Sequence, residues 1–393
     1  MDNFIYYTPT KVYFGKDQEL KIGDIIETFH PKKVLIVYGS ERLMNNGFIH
    51  KISNLIKEKG IDVTYFGGIT PNPTLEKAYE GVKVARDNKV DFVLAIGGGS
   101  VLDTAKDIAH SLTNPDDDIW DYHRYIKSPT SSLHKGAILT IAAAGSEMSA
   151  SSVLTNSKTK EKNGYLSDFN RFDFVIENPE LTYTVSKYQT ACGIVDIGMH
   201  TIERYFDVGE GTELTDDLAL SVIKNINKWG YEAYLNPLDY HARANMMWAS
   251  SLAHNGLTHM GRKFNLVVHK LEHVLSAFYP DVAHGAGLAA LWCSWARFTY
   301  TANKERFLTY VKEIWGVKGN DDEAILEGIK KQEDFYKSIG MPTSLEELGV
   351  HPDDLEKMAL HCSKNKTKVI TETFYPLGYD EILKIYQLAF YKR

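Results

Sequence analysis

The sequence predicts an α/β domain built on a parallel sheet, followed by an all-helical domain. Short β-branched runs alternate with helical patterns in the first half, and this pattern ends after Pro179. From Ser186 onward, helical patterns follow one another with few β-branched runs. Because 393 residues exceed a usual single-core domain, we predict two domains, residues 1–185 and 186–393.

The apolar runs and turn signals of the first half define its elements in order. The predicted strands are residues 34–38, 63–66, 92–96, 137–141 and 171–176. The predicted helices are residues 44–60, 74–88 and 100–111. Since strands and helices alternate, the crossovers should be right-handed and the sheet parallel, with helices on both faces.

Helical periodicity continues through the second half. The clearest predicted helices are residues 215–235, 240–257, 264–278 and 285–300. At the other end of the chain, residues 4–7 and 11–14 are rich in aromatic and β-branched side chains. These two runs could pair across a homodimer or form a hairpin within one chain, and the sequence leaves both open.

Composition and charge exclude several classes of function. The chain has 44 basic and 51 acidic residues, a net charge of −7, and no basic cluster. Neither nucleic acid nor an anionic membrane is therefore an expected partner. No stretch of about 18 apolar residues could span a bilayer. Three widely spaced cysteines and the lack of a signal-peptide pattern favour a reducing cytoplasm.

A glycine run, Gly97, Gly98 and Gly99, lies where a predicted strand passes through Ser100 into a predicted helix. Glycines let a phosphate approach the backbone, and the N–H groups of a helix start attract an anion. The run is not the G-x-G-x-x-G fingerprint, so this dinucleotide-binding domain would be Rossmann-like only in a loose sense. A structural interpretation, compatible with phosphate binding, is that Ser100 caps the helix and Asp103 completes a capping box.

The residues after the first predicted strand of the α/β half bear on the choice of nucleotide. Gly39 and Ser40 lie where an adenosine ribose is usually bound. A carboxylate there favours NAD through the 2′-hydroxyl, whereas arginine suits a 2′-phosphate. Ser40 is small and uncharged and Arg42 is near, although Glu41 favours NAD if it turns inward. We therefore predict NADP(H). The alternative is that Glu41 and Arg42 are merely solvated charges in a turn.

Five residues of the second half have the spacing of a metal site. Asp196 and His200 lie four residues apart in a predicted helix, so both face the same side. His269 and His273 repeat this spacing, and His284 follows. A lone histidine is usually a packed or surface residue, but a carboxylate with several imidazoles is a good donor set for a catalytic divalent metal. A metal and a nucleotide together suggest metal-assisted hydride transfer.

These motifs resemble the iron-containing alcohol dehydrogenase family, and most of all its NADPH-dependent butanol dehydrogenases and aldehyde reductases. The matching segments cover nearly the whole chain and are residues 67–68, 71–73, 95–106, 144–149, 196–200 with Glu203, and 269–285. The resemblance implies a dinucleotide-binding α/β domain and a helical metal-binding domain, the architecture also found in dehydroquinate synthases.

The resemblance also implies roles for individual residues. The implied metal ligands are Asp196, His200, His269 and His284, whereas His273 matches a pocket histidine that is not a ligand. Cofactor contacts are implied for Gly97, Gly98, Gly99, Ser100, Asp103, Thr140, Ser149, Val153 and Lys162. Gly39, Ser40 and Asn72 complete the predicted cofactor site.

The predicted reaction is hydride transfer between NADP(H) and small primary alcohols or aldehydes such as butanol and butanal. The donor set suits Fe²⁺ or Zn²⁺, and the resemblance favours Fe²⁺. His273 is a candidate catalytic proton relay because an ordinary histidine titrates near neutrality, with a packing role as the alternative. Competing interpretations are a glycerol or propanediol dehydrogenase, a metal-dependent lyase or hydrolase on the same scaffold, and a non-catalytic binding protein.

Overall fold

The computed structural model describes residues 1–371 and 373–391, which divide into two compact units. One unit is Tyr7–Val185 and is α/β. The other is helical and joins Met1–Tyr6 to the described residues from Ser186 onward. The predicted first domain, residues 1–185, therefore differs from the observed unit in its first six residues. These six residues belong to the helical unit, where the backbone N–H of Asp2 donates to the Gly261 carbonyl at 3.0 Å.

The α/β unit contains eight strands and six helices in its described residues. The strands are β1 Lys11–Phe14, β2 Lys33–Tyr38, β3 Asp62–Phe66, β4 Phe92–Gly97, β5 Lys135–Leu139, β6 Ser151–Asn156, β7 Glu161–Leu166 and β8 Phe174–Glu177. The helices are α1 Ile22–Glu27, α2 Glu41–Asn45, α3 Phe48–Lys57, α4 Leu75–Asp87, α5 Gly99–Thr113 and α6 Ile119–His123.

Six of these strands form a parallel sheet in the order β1-β8-β5-β4-β2-β3. Its centre is apolar, with Leu35, Leu94 and Ile138 fully buried, as expected for a sheet covered on both faces. The chain runs from β2 outward to β3 and then returns to β4 on the other side of β2. The connections after β2 and β4 therefore diverge, which opens a crevice at the carboxyl ends of these two strands.

The N-terminal strands and the polar hairpin depart from the sequence prediction. Residues 11–14 form β1, which pairs in parallel with β8, and residues 4–7 are not a strand. The predicted intrachain hairpin is therefore wrong, and pairing across a homodimer stays a prediction. The antiparallel pair β6–β7 was not predicted, because β7 has the polar sequence Glu-Lys-Asn-Gly-Tyr-Leu.

The helical unit has ten helices within the part of the chain described. They are α7 Lys187–Tyr205, α8 Glu213–Asn225, α9 Tyr231–Leu235, α10 Tyr240–His254, α11 Val267–Phe278, α12 His284–Thr299, α13 Lys304–Trp315, α14 Asp322–Ser338, α15 Asp354–Cys362 and α16 Tyr379–Tyr391. A π-helical turn, Ile226–Gly230, joins α8 to α9, so residues 215–235 are helical throughout, as predicted, but include one turn with a different hydrogen-bond pattern. Of the helices described, none has the length and apolarity to cross a membrane.

Helix α7 is the centre of the helical unit and packs against α8, α10 and α12. Ser186 caps its start by accepting a hydrogen bond from the Gln189 N–H at 3.1 Å. Helix α12 approaches α7 so closely that a Cβ at Gly285 would lie 2.3 Å from the Cys192 carbonyl oxygen. Glycine is therefore needed where the first turn of α12 meets α7.

Candidate functional site

The four predicted metal ligands lie together in the helical unit. Asp196 and His200 come from α7, His269 comes from α11, and His284 begins α12. The Asp196 Oδ1 atom is 3.3 Å from Nε2 of His200, 3.7 Å from Nε2 of His269 and 3.9 Å from Nε2 of His284. Three helices thus direct three imidazole nitrogens toward one carboxylate oxygen.

The atoms at this meeting point lack ordinary partners. Asp196 Oδ1 and His269 Nε2 are buried, and neither has a hydrogen-bond partner among the described residues. Leaving such polar atoms buried and unpaired is costly. A divalent cation would bind both atoms, and three imidazole nitrogens with one carboxylate oxygen suit Fe²⁺ or Zn²⁺. The residues present therefore fit the metal.

The buried imidazoles differ in their affinity for protons. Burial, followed by charge on His254 and on His269, lowers the pKa of His200 well below its ordinary value, so this ring is neutral. Burial also opposes charge on His269, but Glu203 and Asp196 outweigh it and raise its pKa to about 9. Since a metal binds the neutral imidazole, cation binding at His269 would release a proton.

In the α/β unit, the glycine run lies at the crevice between β2 and β4. Helix α5 begins at Gly99, and Gly98 precedes it in an extended conformation. A Cβ at Gly98 would lie 2.3 Å from Cγ2 of Ile141, and one at Gly97 would lie 2.6 Å from Cγ2 of Val101. The two glycines therefore permit a tight turn that brings the backbone to the crevice.

The predicted capping box at this turn is wrong. Ser100 lies inside α5, and no side chain caps the helix start. The Asp103 carboxylate instead accepts hydrogen bonds from Ser146 Oγ at 2.6 Å and from the Val153 N–H at 3.1 Å. The uncapped start keeps the geometry of an anion site, and Asp103 joins α5 to the segments that follow β5.

Lys106 connects several predicted cofactor residues. Its side chain is fully buried, and Nζ donates to the Ser146 carbonyl at 2.9 Å, to the Ser151 carbonyl at 2.6 Å and to Ser149 Oγ at 3.4 Å. It also lies 3.2 Å from Asp103 Oδ1. Burial lowers the pKa of Lys106, although Asp103 opposes this. One ammonium group thus holds Asp103 and Ser149 in place.

The remaining predicted cofactor residues lie along the carboxyl ends of the sheet and the loops that follow. The Thr140 N–H donates to the Gly97 carbonyl at 3.0 Å. Lys162 Nζ donates to Asn72 Oδ1 at 3.0 Å, which joins β7 to the loop after β3. A Cβ at Gly39 would lie 3.1 Å from Val101 Cγ2, so the end of β2 lies beside the start of α5.

The turn after β2 is an exposed polar segment. Ser40 caps α2 by accepting a hydrogen bond from the Arg42 N–H at 3.2 Å. The Glu41 carboxylate lies by the Tyr38 hydroxyl and, after burial, is the main reason that the pKa of Tyr38 is raised. Glu41 thus turns toward Tyr38, and Arg42 remains exposed.

Comparisons with known proteins assign both halves of the chain to one family. The family model described as iron-containing alcohol dehydrogenase matches residues 9–179, and the C-terminal model of the Fe-containing alcohol dehydrogenase family matches residues 190–390. This chain belongs to the iron-containing alcohol dehydrogenase family. The resemblance inferred from its motifs is confirmed, as is the fold class of a parallel α/β region followed by a helical half.

Individual relatives cover almost the whole length of this iron-containing alcohol dehydrogenase. An NADH-dependent butanol dehydrogenase A of Clostridium acetobutylicum is 38% identical over 99% of this chain and 100% of the relative. An NADPH-dependent aldehyde reductase of Escherichia coli is 33% identical over 99% of this chain and 100% of the relative. The crystal structure of an NADH-dependent butanol dehydrogenase A from Thermotoga maritima has a TM-score of 0.94 and 36% identity, with 99% of each chain covered.

Two further histidines lie beside the four predicted metal ligands. The ring centroid of His273 is 5.7 Å from that of His284 and 6.4 Å from that of His269. The His254 ring lies 4.1 Å from that of His200. Sequence reasoning selected His273 by its spacing from His269 but missed His254, because His254 ends a helix that carries no other predicted ligand.

Proposed function

We propose that this iron-containing alcohol dehydrogenase is an aldehyde reductase that transfers hydride between NADP(H) and small primary alcohols or aldehydes, butanol and butanal among them. The observation that carries the proposal is the convergence of three imidazole nitrogens on the buried Asp196 Oδ1. The glycine turn at the β2–β4 crevice supports nucleotide binding. The names of the relatives, butanol dehydrogenase and aldehyde reductase, support the substrate class.

The residues of this chain would hold the metal and the nucleotide, orient the substrate and deliver a proton. Asp196, His200, His269 and His284 would hold a divalent cation, and the crevice after β2 and β4 would hold the nucleotide. When bound, the cation supplies a Lewis acid for a carbonyl oxygen, and the nicotinamide supplies hydride. Burial of Asp196 and His200, which are 5% and 4% exposed, excludes water from the polar atoms around them.

A direct test is NADPH oxidation with butanal by the purified protein, before and after removal of metal by a chelator. We expect activity to disappear with the metal and to return on adding Fe²⁺ or Zn²⁺ to the anaerobic apoprotein. Activity that survives complete metal removal would reject metal-assisted hydride transfer. A comparison of butanal with hydroxylated analogues distinguishes this activity from that of a glycerol or propanediol dehydrogenase.

His273 is the residue we propose for proton delivery. We expect His273→Ala to retain bound metal and to lower kcat by about 10²-fold, because positioned acid–base groups contribute roughly 10²–10⁴-fold. The measurement is metal content together with the pH dependence of kcat for butanal reduction. A variant with unchanged kcat and an unchanged pH profile would assign His273 to packing. A variant that loses metal would place it among the ligands.

The preference for NADP(H) rests on the turn after β2. Ser40 offers no carboxylate, the Glu41 carboxylate is turned to Tyr38, and Arg42 is exposed and available to a 2′-phosphate. The relatives differ in this respect, since one butanol dehydrogenase is named NADH-dependent and the aldehyde reductase NADPH-dependent. The exposed arginine is the feature of this chain that favours NADP(H).

We expect the NADPH-to-NADH ratio of kcat/KM to fall about tenfold in Arg42→Ala, because a charge-assisted contact is worth about 1.5–3 kcal/mol. Glu41→Gln is the matched control and should leave the ratio unchanged or raise it slightly. Wild-type protein that prefers NADH, or an Arg42→Ala variant with the wild-type ratio, would overturn the assignment.

A further inference from the structure

Two buried glutamates contact the imidazoles that reach Asp196. Glu203 Oε2 lies in hydrogen-bond contact with Nδ1 of His269, and Glu272 Oε2 lies in the same contact with Nδ1 of His284. Both glutamates are buried, at 3% and 0% exposure. The nitrogen opposite each contact, Nε2, is the one that faces Asp196 Oδ1.

The two pairs connect the helices that carry the predicted ligands. Glu203 lies on α7, on the same face as Asp196 and His200, yet it contacts the imidazole of α11. Glu272 lies on α11, three residues after His269, and contacts the imidazole of α12. Two of the three helices that contribute a ligand, α7 and α11, therefore also orient a ligand on another helix.

Each carboxylate is itself held in place. Glu203 accepts backbone hydrogen bonds from the Val268 N–H at 2.6 Å and from the His269 N–H at 3.3 Å. Glu272 accepts a hydrogen bond from the Ser276 hydroxyl. Gly287 leaves room for Glu272, since a Cβ there would lie 2.8 Å from its Cγ and 3.1 Å from its Oε1. These contacts fix both carboxylates before any ligand arrives.

The contacts decide which imidazole nitrogen carries a proton. A carboxylate only accepts hydrogen bonds, so Nδ1 of His269 and of His284 must donate. Each neutral ring then presents the lone pair of Nε2 on its other side. A carboxylate behind a metal-ligating imidazole also raises its basicity as a ligand.

We propose that Glu203 and Glu272 are positioning residues that set the metal affinity of the Asp196 centre by fixing the tautomer, orientation and basicity of His269 and His284. This inference rests on the proposed function, because it assumes that the centre holds a divalent cation. The two carboxylates also add two negative charges to a site whose direct ligands carry one. This charge favours binding of a divalent cation.

The test is the affinity of full-length apoprotein for Zn²⁺ and Co²⁺, measured by competition with a chromophoric chelator. We expect Glu203→Gln and Glu272→Gln each to bind roughly 10–100-fold more weakly than wild type, with a changed Co²⁺ absorption spectrum. The matched control is Glu333→Gln on α14, whose carboxylate contacts Arg297 and Lys337 and no imidazole. This control should bind both metals as the wild type does.

A second variant disturbs Glu272 without removing a charge. Gly287→Ala places a methyl group against Glu272 Cγ, so we expect weaker metal binding and an altered Co²⁺ spectrum. Wild-type affinity in the folded glutamine variants and in Gly287→Ala would overturn the inference. A role limited to stability would lower the melting temperature of the apoprotein without changing the affinity of the folded fraction. If wild-type protein binds neither metal, the proposed function itself fails.

Discussion

Asp196→Ala protein is expected to contain no bound metal and to reduce butanal at least about 10³-fold more slowly than wild type. Asp196 Oδ1 lies within 3.9 Å of the Nε2 atoms of His200, His269 and His284. Without it, three imidazoles face one another with no anionic donor among them. Loss of the Lewis acid removes several kcal/mol of transition-state stabilisation, and each 1.36 kcal/mol is a factor of ten.

The measurement is metal content by mass spectrometry beside single-turnover and steady-state kinetics. Asp207→Asn is a suitable control, because Asp207 is buried in the same unit and burial raises its pKa well above the ordinary value. The amide keeps the size and shape of a carboxyl group whose ionised form burial already disfavours, so metal and turnover should persist. Full turnover by metal-free Asp196→Ala protein would end the metal-assisted proposal.

Lys106→Met should destabilise the protein by about 3 kcal/mol and weaken NADPH binding. Removing one partner of a buried ion pair leaves the other uncompensated, which typically costs about 3–5 kcal/mol. Here the variant deprives Asp103 and the carbonyls of Ser146 and Ser151 of one donor. Asp103 would then no longer be held beside the glycine turn, so a weaker cofactor contact should follow.

Lys135→Met provides the comparison for this variant. Lys135 is also buried in the sheet unit, but its ammonium donates to Ser132 Oγ and burial lowers its pKa to about 7. We expect this variant to be as stable as wild type or more so. Urea unfolding and NADPH fluorescence titration measure both effects. Equal stability and equal cofactor affinity for the two methionine variants would show that Lys106 does not organise the crevice.

The shared face of two predicted ligands could be anticipated because helix geometry is local. Asp196 and His200 are four residues apart, so their common face follows from the helical period alone. The position of His284 beside them depends instead on how α12 packs against α7, which spacing along the chain does not fix. Spacing could not reveal that Glu272 contacts His284, because the two residues lie on different helices, α11 and α12.

The same difference between neighbouring and distant residues explains which parts of the fold could be predicted. Strand β4 and the turn at the glycine run were predicted because an apolar run and a turn signal are adjacent in sequence. The partner of β1 was not predicted, since Val12 pairs with Val175, far along the chain. Ser100 has the residue type of a helix cap, but α5 already begins at Gly99, so Ser100 lies inside the helix. The Asp103 carboxylate accepts its hydrogen bond from Ser146 instead.

The parallel pairing of β1 with β8 has a consequence for biosynthesis. A ribosome releases β1 well before its partner β8, which ends at Glu177, and the Gly261 carbonyl that receives the Asp2 N–H emerges later still. Contacts so distant in sequence form slowly, and an exposed strand edge invites association in the meantime. Strand β1 should therefore remain unpaired during translation until β8 has been synthesised.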